Sequence, residues 1–173
     1  MTNPVVAWHE EHAYFRRLLG LLRKELDVFH GGERPNYELM VEVVSYLRDY
    51  GDQVHHRRED EAFARLASRV PELELPLVRL QQEHRVIAHA GETLLERINA
   101  ILEGAIVPRE EVEMILATYL VYYDSHIARE EDSVLPRAER ALGEEDWRAV
   151  KDAAPEAQDT DYASLRRRIA QQT

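Results

Sequence analysis

The sequence predicts an all-α protein: an up-down-up-down four-helix bundle followed by one or two short C-terminal helices. Two observations predict it. Seven Gly and seven Pro are few for 173 residues. They also gather, at Gly31-Gly32 with Arg34-Pro35-Asn36, at Pro71 and Pro76, and from Gly104 to Pro108, with Gly143 and Pro155 later. Between these clusters run stretches of roughly 25–35 residues with good helix formers and apolar residues at helical spacing. No alternating strand pattern competes. Short connections of about four to eight residues make successive helices antiparallel neighbours.

The first helix is expected from about Pro4 to Phe29, with Phe15, Leu18, Leu19, Leu22 and Leu26 on one face. The second runs from Asn36, an N-cap residue, to about Val70, with Leu39, Val43, Tyr46 and Leu47 as its stripe. The third runs from Glu72 or Pro76 to Glu103, with Leu77, Leu80, Ile87, Leu94, Leu95 and Ile98 apolar. The fourth starts at Pro108, a good first-turn residue, and reaches Ala141. Its apolar residues are Met114, Ile115, Leu116, Tyr119, Val134 and Leu135, and Pro136 kinks its last turns. Two short helices follow, near Glu144 to Ala153 and near Asp159 to Ala170. The second carries Tyr162, Leu165 and Ile169 as a narrow stripe that docks on the bundle or on a second subunit. The expected organisation is a bundle domain over 1–142 and a helical extension over 143–173.

Composition removes several functions. With 22 Lys and Arg against 33 Asp and Glu, the net charge is −11, which repels nucleic acid and anionic membranes. An apolar content of 45% is too high for a disordered acidic chain. Cysteine is absent, so disulfides, thiolate catalysis, iron–sulfur clusters and cysteine-ligated zinc are excluded. No apolar run approaches the ~20 residues of a membrane span. The first ten residues have neither a basic nor an apolar leader region. A cytoplasmic protein, monomeric or homodimeric, is the expectation.

Eight histidines carry the functional reading. Three have a carboxylate four residues on: His55 with Glu59, His56 with Asp60 and His126 with Glu130. That spacing puts both side chains on one helix face, but it is little above chance among so many acids. Height along the bundle says more. His12 stands about as far from the end of the first helix as His55 does from the start of the second. His84 and His126 are matched across the third and fourth helices in the same way. At 1.5 Å per residue the mismatch within each pair is about 3 Å. One cross-section would therefore hold His12, His55, Glu59, His84, His126 and Glu130. Four imidazoles and two carboxylates suit iron, with manganese or zinc as alternatives, and exceed what one tetrahedral zinc takes. Two glutamates on different helices can bridge two metals, so a pair of carboxylate-bridged irons is the natural occupant.

These residues resemble the hemerythrin-like, or HHE cation-binding, family. The resemblance is carried by Glu11-His12, the run His55 to Glu61, Glu83-His84 and the run His126 to Pro136, and it covers about residues 5 to 142. It implies a hemerythrin-like four-helix bundle with an oxo- or hydroxo-bridged non-haem di-iron centre. Such a centre binds or turns over dioxygen, nitric oxide or peroxide, or stores, delivers or senses iron. The oxygen-carrying members have two ligand histidines four apart on the third helix, whereas His84 is followed at that spacing by Ala88. The set of four His and two Glu is more similar to the domains of bacterial di-iron repair proteins and of an iron-sensing F-box protein. One iron is then less fully ligated, which favours a reactive or labile metal over reversible oxygen carriage.

Other residues have plainer readings. His56 lies about 100° round the helix from His55 and is expected at the surface. His9 is expected to be solvated near the helix start, His89 is out of phase with His84, and His30 suits a helix C-terminus. Gly51, one turn above His55, either opens space for a small ligand or permits a tight helix crossing. Tyr122, one turn above His126, is read as an ordinary buried tyrosine or as a donor to a bound ligand. Glu10, Glu11 and Glu83 are candidate acceptors for the ligand imidazoles or solvated acids. Ferritin-like oxidases need Glu-x-x-His on two helices, and Asp52 and Tyr123 stand where those acids would be. A zinc protease needs histidines four apart, and His9 and His12 are three apart.

Overall fold

The fold was obtained as a computed structural model that describes residues 4–154 and 159–172, with side chains at 159–161 not described. Residues 1–3 of the expected bundle domain and the expected breaker Pro155 lie outside the described residues. Among the described residues the regular structure is all helical, without strands. Its α-helices are α1 (Pro4–His30), α2 (Tyr37–Tyr46), α3 (His56–Arg69), α4 (Glu74–Leu102), α5 (Arg109–Arg129), α6 (Leu135–Ala141), α7 (Glu144–Asp152) and α8 (Asp159–Gln171). Among the described residues no helix is long and apolar enough to cross a membrane.

Local chemistry sets the ends. The Asn36 side chain accepts a hydrogen bond from the Leu39 backbone N–H at 3.0 Å, which caps α2. Gly104, just past α4, has φ of +92°, a left-handed conformation that glycine adopts without steric cost.

The second and fourth expected helices are not continuous α-helix. Between α2 and α3 lies a π-helical stretch, Leu47–His55, and between α5 and α6 a second, Glu130–Val134. The backbone N–H of His56 bonds to Gly51 O, and that of Leu135 to Glu130 O, five residues back in each case. Each stretch spreads a turn over an extra residue and so changes the rotational phase of the next helix. Such turns concentrate at functional sites, and both of these abut the histidine and glutamate positions singled out above.

α4 packs on α5 and α2, α1 on α5, and α3 on α4. Apolar side chains form two buried clusters. One holds Phe15, Leu18, Leu19, Leu22, Val43, Ile87, Leu94, Leu116 and Tyr123. The other holds Trp8, Ala62, Phe63, Leu66, Leu77, Leu80, Val134 and Leu135. The two clusters flank His12 on α1 (Trp8 and Phe15) and His84 on α4 (Leu80 and Ile87), so a polar layer is sealed between them. Met114, expected on the apolar face, is 65% exposed: position 114 is turned away from the buried Val112 and Leu116 of α5. α7 packs on α3, held by Asp146 against Arg65 at 3.2 Å and Arg69 at 2.6 Å. α8 docks on α2, with Leu165 and Ile169 buried in the first cluster and the Tyr162 hydroxyl on Asp49 O at 2.9 Å. The expected stripe thus meets the chain's own helices.

Candidate metal centre

His12, His55, Glu59, His84, His126 and Glu130 are brought into one buried cage. Glu59 and Glu130 have no exposed surface. Glu59 Oε1 lies 3.0 Å from His55 Nε2 and 3.4 Å from His12 Nε2, while its Oε2 lies 3.5 Å from His84 Nε2. Glu130 answers from the other side. Its Oε1 lies 3.0 Å from His126 Nε2 and 3.5 Å from His84 Nε2, and its Oε2 lies 3.6 Å from His12 Nε2. Each carboxylate therefore offers one oxygen to the His12–His55 pair and one to the His84–His126 pair.

His56 is also inside. The expectation that it lies at the surface is wrong, because the π-helical stretch adds a residue to the turn and leaves both His55 and His56 buried. Its ring stacks on that of His84, with centroids 4.1 Å apart. His56, Glu59, His84 and His126 form one group whose ligand atoms lie within 4.8 Å of one another, and His12, His55 and Glu59 form another.

His12, His55, His84 and His126 are each hydrogen-bonded from behind by a carboxylate at Nδ1, while His56 Nδ1 lies beside Asp52 without hydrogen-bond geometry. His12 meets Glu131 at 3.3 Å, His56 Asp52 at 3.1 Å, His84 Asp60 at 2.9 Å and His126 Glu83 at 3.2 Å; His55 meets Glu11, which also accepts from the Tyr50 hydroxyl at 2.6 Å. A proton on Nδ1 leaves the Nε2 lone pair facing the cage, the arrangement that orients metal-binding histidines. Of the acceptors expected from the sequence, Glu11 and Glu83 serve and Glu10 is exposed. Asp52, Asp60 and Glu131 were missed. The signal for two of them was adjacency, since Asp60 follows Glu59 and Glu131 follows Glu130.

The protonation balance reflects this layout. Burial disfavours charge on His55, but Glu59 and Glu11 outweigh it and raise its pKa to about 10. Burial likewise opposes the carboxylates and acids that raise His84 and His126. Burial, together with the neighbouring His84, pushes His56 well below its ordinary value. Glu59 is held well down by His55 and its other imidazole neighbours against the pull of burial.

The donor set fits metal ions. Both oxygens of Glu59 and of Glu130, with Nε2 of His84 and of His126, are buried and lack a partner in hydrogen-bond geometry. They are close to one another without being aligned for hydrogen bonds, as atoms converging on a cation are. Burying such groups without a partner is costly. His12 Nε2 and His55 Nε2 stand 2.9 Å apart, about the separation of two nitrogens each 2.0–2.1 Å from one ion at a right angle.

The remaining positions lie outside the cage. His9 is exposed and reaches Glu131 at 3.4 Å, His89 is exposed, and His30 pairs with Glu113 at 2.7 Å. Tyr122 is 43% exposed, so it is not buried as expected; the tyrosine turned inward is its neighbour Tyr123, fully buried.

Helices that seal five imidazoles and two carboxylates between apolar layers, with four of the imidazoles hydrogen-bonded to a carboxylate from behind, define a protein built to hold cations. The family comparison agrees, since residues 3–138 match the model of the hemerythrin HHE cation-binding domain. The chain belongs to that family. Neither the comparison with curated proteins nor that with solved structures gives a match.

Proposed function

We propose that the protein holds two iron ions in this cage and binds or turns over a small ligand there: dioxygen, nitric oxide or peroxide. The observation that carries the proposal is the division of each carboxylate. Glu59 and Glu130 each give one oxygen to each histidine pair, which is what two bridging carboxylates require. In this proposal the fold is an up-down-up-down four-helix bundle domain over 1–142 with a helical extension over 143–173, whose described helices α7 and α8 pack on α3 and α2.

In this reading His12 and His55 hold one ion and His84, His126 and His56 the other. His56 would supply the imidazole that Ala88 cannot, which would leave the His12–His55 ion with fewer protein nitrogens. Iron held there would supply a redox couple and a Lewis acid for a small ligand. The chain's own residues do the rest. The carboxylates behind His12, His55, His84 and His126 keep the Nε2 of each directed inward. Phe15, whose ring centroid is 5.0 Å from that of His55, and Trp8, at 6.1 Å, keep water from that side.

Anaerobic loading with ferrous iron, followed by metal analysis and absorption spectra before and after air, tests this. Two irons per chain and an oxo-bridged di-iron(III) band are the expected result. A single tightly held zinc in protein made with iron at hand would overturn it.

A further inference from the structure

α5 sends two tyrosines into the interior, and a glycine receives each. A Cβ on Gly91 would stand 3.3 Å from Tyr119 Cε2, and a Cβ on Gly51 would stand 2.8 Å from the Tyr123 hydroxyl oxygen. The second distance is shorter than real Cβ contacts, so the Tyr123 hydroxyl fills the space a side chain at 51 would need. Both alternatives for Gly51 thus give way to a third: it makes room for a phenol.

Both tyrosines are buried, and neither hydroxyl has a hydrogen-bond partner. A buried hydroxyl left so costs about 1–3 kcal/mol. The two differ in position. Tyr119 lies against Gly91 and near Arg48, away from the cage. Tyr123 sits three residues before His126, with its ring 5.8 Å from that of His56 and 6.2 Å from that of Phe15. Burial raises its pKa well above the ordinary value, with Tyr119 and the charges of Asp52, Glu59 and Glu130 adding to the rise, so it stays a neutral donor. Its hydroxyl ends beside Gly51, one turn before His55, next to the Phe15 ring that faces His55. The side chain therefore starts on α5, the helix of His126, and its hydroxyl ends beside Gly51 on the helical run that carries His55.

We propose that Tyr123 is a ligand-positioning residue, whose hydroxyl donates a hydrogen bond to a small ligand held on the His12–His55 side of the centre. The proposal rests on the di-iron reading above. It accounts for two observations together, a glycine inside a helix and a buried hydroxyl without a partner, and it agrees with the di-iron reading, in which the ion on that side has fewer protein nitrogens.

The test uses azide as probe on the oxidised, iron-loaded protein. Tyr123→Phe should keep two irons and weaken azide binding about tenfold. The azide antisymmetric stretch should shift in deuterated buffer for the native protein and not for the variant. Gly51→Ala keeps the hydroxyl but displaces it, and should weaken azide similarly. The metal-free melting temperature of Tyr123→Phe should equal or exceed that of the native protein, because an unpartnered hydroxyl is removed. Unchanged azide affinity with both irons retained overturns the proposal alone. So does a visible phenolate-to-iron band that vanishes in Tyr123→Phe, since Tyr123 would then be a ligand. A native protein that takes up no iron overturns the di-iron reading, and the proposal with it.

Discussion

Glu59 and Glu130 face each other across the cage, and each contacts the histidine four residues before itself on the same helical stretch at 3.0 Å, while reaching across to the opposite pair with its other oxygen. A single metal would need only one side of this arrangement. In the proposed di-iron reading, two carboxylates used in the same divided way correspond to two metal positions.

Removing one divided carboxylate should therefore cost more than one ion's share of a ligand. Glu59→Gln and Glu130→Gln are each expected to bring iron from near two per chain to one or fewer. His126→Ala, which removes a nitrogen from one side only, should leave the His12–His55 position partly filled. Metal analysis after anaerobic loading and desalting checks both. Two irons retained in Glu59→Gln would mean that Glu59 is not shared.

His56 gives a sharper contrast. As a third nitrogen beside His84 and His126, its loss in His56→Ala should speed chelator extraction of one iron by about tenfold or more and leave the other unaffected. Asp52→Asn, which removes the carboxylate behind His56, should act in the same direction but less. Equal single-phase extraction from native and variant protein would make His56 a packing residue.

Metal removal should lower stability. The cage keeps buried polar atoms without hydrogen-bond partners, and a ligand at a hundred times its Kd stabilises by about 2.7 kcal/mol. For a chain of this size that is a fall of roughly 5–10 °C in Tm on chelation. Calorimetry with and without chelator decides. Coincident transitions would contradict an internal site.

The metal-free protein should also lose stability in alkali. His55 is raised to about 10, with His84 and His126 raised alongside it, against about 6.5 in the unfolded chain. The folded state then binds more protons. The stabilisation is complete below pH ~6.5 and is lost as pH climbs toward ~10. Melting curves in chelator across that window should fall steadily. The iron-loaded protein, whose imidazoles are occupied, should show a flatter profile. A flat profile without metal would mean that the Glu11–His55–Glu59 contacts do not hold a proton.

The C-terminal helix should be part of the cooperative unit. Leu165 and Ile169 are buried in the same cluster as Phe15 and Leu116, so Ile169→Ala is expected to cost about 2 kcal/mol or more. Denaturant unfolding should keep a single transition at a lower midpoint. A separate early transition in the native protein, shifted alone by the substitution, would make 143–173 an independent unit.

By itself the sequence determined what depends on composition and on counting along a helix. Gly and Pro clusters marked the breaks between helical stretches, and cysteine's absence limited the metal chemistry. Residue counts from the turns put four histidines and two glutamates at one height, because rise per residue is nearly constant. The tertiary structure decided what depends on rotation about each helix axis. One residue is about 100° of phase, and the sequence does not fix the phase where hydrogen bonding passes from four to five residues back. The π-helical stretch before His56 turned an expected surface residue into the cage. The packing of α5 against its neighbours put Tyr123 inside in place of Tyr122. Asp60 and Glu131 became imidazole partners only because other helices brought His84 and His12 against them, whereas Asp52 meets His56 at a spacing of four on its own helical run. Local spacing sets height; only packing sets which way each side chain faces.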